Sequence, residues 1–306
     1  MVPQIAPQNF RGAILMVLSM AFFAAEDTFI KILTGNLPYL QVLTSVGVLG
    51  FAVFFAMLRL KGGRFLTRDL LDPVVVLRTL GEVVGSIAFV IALALSDLST
   101  TSAIPQALPL MVVLGAALFL GEPVGWRRWS AICAGFIGVL LIIRPGGEGF
   151  TLVSLLALLG VVGLAVRDLV TRRIPSHIHS DQVSALAFLA LAGASMLLAA
   201  IMGQGFVVPT VPQASMIAIC IVFGVTGYSL LVAATRISEI AAIAPYRYTR
   251  LVFALILAFF VFGERPDGMT LIGAVIVVAS GCYTMWREAR QKRARLRQAG
   301  FVTLDD

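Results

Sequence analysis

The sequence predicts an all-α integral membrane protein of ten transmembrane helices, arranged as an inverted-topology repeat of five plus five. Three observations predict this fold class: an apolar composition, ten apolar runs of spanning length, and a match between the two halves of the chain. The 306 residues are 59% hydrophobic and 13% charged, with a mean hydropathy of +0.98. Because a soluble chain carries about 25% charged residues, this composition excludes an ordinary soluble domain.

The apolar runs have the length that a bilayer requires. A transmembrane helix needs about 20 mainly apolar residues, and the segments between the runs are too short to hold a soluble domain. Pro105 and Pro109 interrupt the fourth run, so its limits are the least defined. The first run exceeds the apolar core of a cleaved signal peptide, about 7–15 residues, and is expected to be an uncleaved span. The predicted spans are 12–34, 38–60, 73–95, 101–120, 127–144, 151–170, 181–203, 213–235, 239–262 and 268–286.

Basic residues predict the orientation. With the N-terminus inside, the outer side receives only Lys31, Arg144 and Arg265, and all other loop Lys and Arg fall inside. The positive-inside rule therefore places both termini in the cytoplasm, and the expected location is a bacterial inner (plasma) membrane. The net charge of +7 reflects this topology and not nucleic-acid binding. The basic tail, residues 289–306, is expected to anchor the topology, with contact to anionic membrane lipid as the alternative.

The two halves match at an offset of about 140 residues. The predicted repeats are 1–145, with spans one to five, and 146–288, with spans six to ten. An odd number of spans per repeat inverts the second repeat, an architecture found in many secondary transporters, whose substrate site lies near the midplane between the repeats. The matching pairs are Asp27–Lys31 with Asp168–Arg172, Gln41-Val42 with Gln182-Val183, Leu98-Ser99 with Ile237-Ser238, and Gly121-Glu122-Pro123 with Gly263-Glu264-Arg265-Pro266.

Two prolines point to the substrate site. Pro105 and Pro245 stand near the start of equivalent spans, and helices broken at equivalent places in both repeats mark such sites. The polar side chains that follow them are candidate substrate contacts: Gln106 in the first repeat, and Tyr246, Arg247, Tyr248 and Arg250 in the second.

These motifs resemble the drug/metabolite transporter superfamily, EamA type. The resemblance covers nearly the whole chain and is carried by the two Gly-Glu helix ends, by Trp126–Trp129 through Gly135–Gly146, and by Ala244–Tyr248. It implies two five-helix repeats and small-molecule transport, since relatives include exporters of amino acids and other metabolites, importers of nucleoside-like or methyl-donor compounds, and sugar permeases. The chain has Phe23-Ala24-Ala25-Glu26 where the family commonly has an aromatic-Gly-x-Asn stretch, so a relative's substrate does not transfer directly.

Eight charged residues within the predicted spans, four of each sign, are the candidate intramembrane charges. Such residues are expected to face a polar cavity or one another. Arg78 and Glu82 could contact substrate or neutralise each other, being one helical turn apart. The Asp27–Lys31 and Asp168–Arg172 pairs are expected to be structural. The complete set is Glu26, Asp27, Arg78, Glu82, Arg167, Asp168, Arg247 and Arg250.

Glu26 and Asp27 are the proton-coupling candidates. A buried carboxyl that changes its protonation can carry a proton in one direction and substrate in the other. The alternative for Glu26 is a structural bridge to its repeat counterpart Arg167.

Arg247 is the preferred contact for a substrate carboxylate or phosphate, because its planar fork suits such anions and tyrosines flank it. Of Arg247 and Arg250, one is expected to contact substrate and the other to be structural, with Arg247 as the first choice for the contact. No metal site is predicted, since His177 and His179 have no Cys or carboxylate cluster beside them. Glu122 and Glu264 are expected to cap helices or lie at helix interfaces.

The predicted function is secondary active transport of a small polar or zwitterionic metabolite, amino-acid-like or methyl-donor-like, by alternating access. Export coupled to protons is the expected direction, and uptake of such a metabolite or of an organic cation is the alternative. An integral-membrane enzyme is the rival class, disfavoured because no catalytic constellation or cofactor motif is visible. Monomer and homodimer both stay open.

Overall fold

The computed structural model describes residues 5–119, 126–143, 152–171, 173–175, 177–237 and 243–298. These residues form helices joined by turns, with no strand among them, so the predicted all-α class is confirmed. The α-helices are α1 Ile5–Thr34, α2 Tyr39–Leu60, α3 Pro73–Leu95, α4 Leu98–Ala103, α5 Leu108–Phe119, α6 Trp126–Ile143, α7 Leu152–Thr171, α8 Ser180–Ile201, α9 Val211–Ile237, α10 Thr249–Phe262 and α11 Gly268–Gln298. Short 3-10 turns occupy Arg68–Leu71, Ile104–Ala107 and Ala244–Tyr248. The predicted Gly121-Glu122 helix end, Arg144, Arg172 and residues 299–306 lie outside the described residues.

The described part of the chain contains seven helical stretches that are long and apolar enough to cross a membrane. Two further apolar helices, Trp129–Ile143 and Gly268–Tyr283, are shorter. Helical segments coincide with each of the ten predicted runs. The seven stretches are Phe10–Thr34, Tyr39–Leu60, Pro73–Leu95, Thr101–Phe119, Val153–Thr171, Ser180–Ile201 and Val211–Leu231.

Local sequence signals set several helix ends. Asp72 precedes Pro73 and accepts a hydrogen bond from the backbone N–H of Val74 at 2.8 Å, so it caps α3. Gly62 and Gly203 follow α2 and α8 and have positive φ angles of 76° and 64°. Glycine adopts this left-handed conformation without the steric cost that a Cβ brings, and the same device therefore ends equivalent helices of both repeats.

Pro105 and Pro245 break the fourth and ninth runs, as their positions predict. Each lies in a 3-10 turn that precedes an α-helix, Ile104–Ala107 before α5 and Ala244–Tyr248 before α10. Proline lacks the backbone N–H that a continuous α-helix needs. The turns therefore place Gln106 and Arg247 on locally distorted backbone within apolar stretches.

The set of paired helices is unchanged when the two halves of the chain are exchanged. The most extensive contacts pair α3 with α7, α1 with α9, α2 with α8 and α6 with α11. Exchanging the five spans of one half with those of the other converts the α3–α7 pair into the α9–α1 pair, and each of the other two pairs into itself. All four interfaces join one half to the other, so the centre of the molecule lies where the halves meet.

Glycines allow the close approach at these interfaces. A Cβ added to Gly81 of α3 would lie 2.8 Å from the carbonyl oxygen of Gly163, and one added to Gly85 would lie 2.9 Å from the backbone nitrogen of Leu164. Both contacts are on α7. The GxxxG motif of α3 therefore brings two helix backbones together and positions Arg167, near Gly81, at the interface.

Candidate functional site

A four-charge network joins α3 to α7. Glu82 lies 2.9 Å from Arg78 on its own helix and 3.0 Å from Arg167 on α7. Arg167 also lies 2.7 Å from the neighbouring Asp168. Two positive and two negative charges thus offset one another inside a membrane-spanning segment, as such charges require. We call this group the α3–α7 network.

Arg78 is not fully satisfied within this network. Its Nη2 contacts Glu82, but its Nε and Nη1 are buried and have no hydrogen-bond partner among the described residues. Tyr228 of α9 lies within electrostatic range of Arg78. An unsatisfied buried donor costs roughly 1–3 kcal/mol. This guanidinium can therefore still donate hydrogen bonds to an anionic group or a carbonyl oxygen.

A second ion pair joins α1 to α10. Arg250 donates from Nη2 to both carboxylate oxygens of Asp27, at 2.9 and 2.7 Å, and from Nε at 3.1 Å. The Asp27 side chain is only 5% exposed. The Arg250 guanidinium also lies 5.4 Å from the centre of the Phe23 ring. Such multidentate, charge-assisted contacts fix both groups, so Arg250 connects α10 to α1 through Asp27.

Glu26, beside Asp27, faces a different helix. Ser19, Phe23 and Glu26 follow the i, i+4, i+7 spacing of one helix face, and all three contact α9. The Ser19 hydroxyl donates to the Gly227 carbonyl at 2.6 Å, and Phe23 lies against Gly227. The Glu26 carboxyl lies against Gly224 and forms no hydrogen bond or ion pair with any described residue.

Arg247 lies in the 3-10 turn before α10. The charges of Asp168, Arg167 and Arg250 are close enough to interact electrostatically with its guanidinium. It forms no hydrogen bond or ion pair with any described residue. The positive charge of Arg247 is therefore uncompensated by a direct contact with any described residue.

A polar cluster closes the predicted outer end. Lys31 donates to the carbonyl oxygens of Ser96 and Leu93, and its Nζ lies 3.7 Å from Glu264. Glu264 accepts a hydrogen bond from the backbone N–H of Leu98 at 2.9 Å. Glu264 therefore lies at a helix interface, one of the two roles expected for it, and the cluster ties α1 and the α3–α4 turn to the end of α10.

The family model described as the EamA-like transporter family matches residues 10–144 and, separately, residues 151–286. This chain belongs to the EamA-like transporter family. EamA transporters are membrane transporters, so the predictions of family and of a transporter rather than an enzyme are confirmed.

The chain is similar to several named transporters. It is 27% identical over 281 residues to an S-adenosylmethionine uptake transporter of Rickettsia bellii, covering 90% of this chain and 93% of the relative. It is 27% identical to a riboflavin transporter of Rhizobium johnstonii, with 92% and 93% coverage. A pseudopaline exporter of Pseudomonas aeruginosa is 24% identical, with 88% and 94% coverage. A solved crystal structure, 20% identical, superposes with a TM-score of 0.59, covering 94% of this chain and 99% of the other, and supports the fold alone.

The fold of this EamA transporter places the predicted contact residues unevenly. Tyr246 is 41% exposed, whereas Tyr248 is 4% exposed and lies against Gly281 of α11, so the two tyrosines do not flank Arg247 in one common environment. Gln106 is buried and donates its amide to the Ser102 carbonyl at 3.1 Å. The binding roles of these residues stay predictions.

Two pairings differ from those expected or considered, and a third is not tested by the described residues. Asp27 pairs with Arg250 and not with Lys31, because the bidentate fork of Arg250 reaches it from α10. Arg167 pairs with Glu82 and Asp168, so it forms no bridge to Glu26. Asp168 likewise pairs with Arg167, while its expected partner Arg172 lies outside the described residues.

Sequence reasoning missed Gly224. A glycine within an apolar run carries no chemical signal of its own, and its role depends on which side chain the neighbouring helix presents. The available signal was its repeat position, since Gly224 in the second half corresponds to Glu82 in the first at the offset of about 140 residues.

Among the described residues, no group of three or more His, Cys, Asp or Glu side chains could hold a metal. His177 instead lies 3.4 Å from Asp69 on an exposed loop. The hydrogen bond from the Thr67 hydroxyl is the main cause that lowers the pKa of Asp69, and His177 lowers it further.

Proposed function

We propose that this EamA transporter is a secondary active transporter of a small zwitterionic metabolite. The observation that carries this proposal is the pair of uncommitted charges within the apolar helices. Arg247 and Glu26 have opposite signs, and neither forms a hydrogen bond or ion pair with any described residue. Each of the other six candidate intramembrane charges, all of them described, has an ion-pair partner. A substrate that carries both an anionic and a cationic group would compensate both charges.

Arg247 is the proposed contact for the substrate carboxylate, with Arg78 as the second contact through its unsatisfied Nε and Nη1. Guanidinium groups bind carboxylates through paired N–H donors. Arg250 is excluded from direct binding in this proposal, because its contacting nitrogens are committed to Asp27. Glu82 supports the site by holding Arg78 and Arg167.

The proposed architecture has ten spans, with repeats at 1–145 and 146–288, a basic cytoplasmic tail at 289–306, and both termini on the cytoplasmic side of a bacterial inner membrane. The helix pairing that survives exchange of the halves supports it. Alternating access would then change the contacts between the halves without unfolding either one. Cysteine labelling should find the loop near Arg64 inside and the loop near Gly147 outside. Labelling of both loops from one side would contradict the inverted repeat.

Proton coupling through Glu26 and Asp27 is part of the proposal. Export, the direction predicted from the sequence, stays a prediction. Uptake is a second candidate, favoured by the similarity to four Rickettsia proteins named S-adenosylmethionine uptake transporters, at 27–28% identity. Under either direction, an amino-acid-like or methyl-donor-like zwitterion remains the proposed cargo.

Transport by purified protein in liposomes tests the proposal. Vesicles would be loaded with, or surrounded by, radiolabelled S-adenosylmethionine, and then a panel of amino acids, with and without a pH gradient. Saturable movement that responds to the gradient is expected, and Glu26→Gln should abolish the gradient response while exchange stays measurable at saturating substrate concentration. Movement of none of these zwitterions would overturn the proposed substrate class.

A further inference from the structure

Two symmetry-related interfaces treat equivalent positions differently. In the α3–α7 interface, Glu82 faces Arg167 at 3.0 Å. In the α9–α1 interface, the equivalent positions are Gly224 and Glu26, and a Cβ added to Gly224 would lie 2.5 Å from Oε1 of Glu26. The first interface thus contains both members of an ion pair, and the second contains one charge facing a glycine.

The Glu26 side chain is partly accessible, in contrast to Asp27, which is buried. A carboxylate within an apolar helix is costly unless a counter-charge compensates it. Asp27 has such a counter-charge in Arg250, whose Nε and Nη2 both contact Asp27 and not Glu26. No described side chain therefore pairs with the carboxylate of Glu26, and its charge is available to a group from outside the protein.

The surroundings of Glu26 suit a cation of moderate size. Phe23, one turn before Glu26 on the same face, already holds the Arg250 guanidinium against its ring at 5.4 Å. Gly224 offers no side chain opposite the carboxyl. Carboxylates and aromatic faces are the groups that bind ammonium-type cations.

We propose that Glu26 and Gly224 form a subsite for a substrate cation other than the α-ammonium, a sulfonium or a side-chain ammonium. This cation would provide at the α9–α1 interface the counter-charge that Arg167 and Glu82 provide for each other at the α3–α7 interface. The inference rests on the proposed transport function and makes it more specific, because it assigns the substrate cation to Glu26 and leaves the substrate carboxylate to Arg247.

Two glycines of α9 provide a matched pair of variants. In Gly224→Ala, the new methyl group meets the flexible end of the Glu26 side chain, so the carboxyl must move while the fold is retained. In Gly227→Ala, one turn away on the same interface, the methyl group meets the Phe23 ring at 3.2 Å and has Glu26 outside its three nearest contacts. The first variant should disturb the cation subsite, and the second serves as a packing control.

The test compares ligands that differ by one charge, bound to the purified full chain in detergent. S-adenosylmethionine carries a sulfonium that S-adenosylhomocysteine lacks, and ornithine carries an ammonium where norleucine has a methyl group. The wild-type protein should bind the cationic member of at least one pair about tenfold more tightly or better. Glu26→Gln should remove this preference without weakening binding of the neutral member. Gly224→Ala should reduce the preference, and Gly227→Ala should keep it.

Equal affinity for both members of a pair in the wild type, or a preference that survives Glu26→Gln, would overturn the cation subsite while the transport function stands. Binding of no member of either pair would overturn the proposed substrate class and this inference with it. Melting curves of each variant verify that the fold is intact, and Gly224→Ala provides an independent test if Glu26→Gln does not fold.

Discussion

The α3–α7 and α1–α9 interfaces occupy equivalent places in the two halves but differ in how their charges are compensated. The first holds a network in which Glu82 bridges two arginines and Asp168 completes the balance. The second holds Glu26 against a glycine, with Asp27 paired sideways to Arg250 of α10. If the internal pairs stabilise the fold and the uncommitted charges bind a ligand, as proposed, the two interfaces should respond oppositely to mutation.

The largest effect is expected for Arg167→Gln. This change leaves Asp168 without an arginine partner and leaves Glu82 with Arg78 alone. Breaking a buried ion pair by removing one member costs roughly 3–5 kcal/mol, and we expect the upper part of this range. The measurement is thermal or denaturant unfolding in detergent. Arg247→Gln is the control and should melt close to wild type, so equal losses for both variants would erase the contrast.

A somewhat smaller loss, about 3 kcal/mol, is expected for Arg250→Gln, which leaves only Asp27 unpaired. The double variant Arg250→Gln with Asp27→Asn removes the uncompensated charge and should recover much of the lost stability. A double-mutant cycle on melting temperatures measures this coupling. Simple additivity of the two single losses would show that the ion pair does not hold α1 to α10.

Arg247 should show the opposite pattern, with a loss of affinity and little loss of stability. Lys keeps the charge but lacks the planar fork, so substrate affinity should fall from native to Lys to Gln, by about 2 kcal/mol for Gln. Isothermal titration with the substrate found in the liposome assay measures the series. If Arg247→Gln and Arg250→Gln both leave affinity unchanged, the anionic half of the proposed substrate is wrong.

The smallest effect is expected at Lys61 and Asp181, where a short ion pair joins the end of α2 to the first turn of α8. Its atoms are 2.6 Å apart, closer than the Glu82–Arg167 contact, but the Lys61 side chain is 57% exposed. Exposed pairs contribute about 0–1 kcal/mol, so Lys61→Met should lower stability by no more than a few tenths of a kcal/mol. A loss as large as that of Arg167→Gln would mean that distance, and not burial, sets the contribution of these pairs.

Most of the secondary structure could be predicted because it depends on local features of the chain. Apolar length defines the spans, and Pro105 and Pro245 mark the breaks in the fourth and ninth runs. The pairing of Arg78 with Glu82 was also within reach, since residues one turn apart on a helix face each other. The same rule gave the wrong partner for Asp27, because it considers one helix at a time.

The sequence by itself determined a membrane-embedded chain of apolar helices, its internal repeat, and which charges lie inside the apolar spans. These properties follow from composition and spacing along the chain. The packing of the helices sets which charges meet. Arg250 pairs with Asp27, Arg167 pairs with Glu82, and Glu26 faces Gly224. The physical reason is that such pairings depend on the rotation and approach of separate helices. In the α3–α7 and α1–α9 interfaces, glycines allow that approach. No local pattern specifies which side chains of the partner helix these glycines meet.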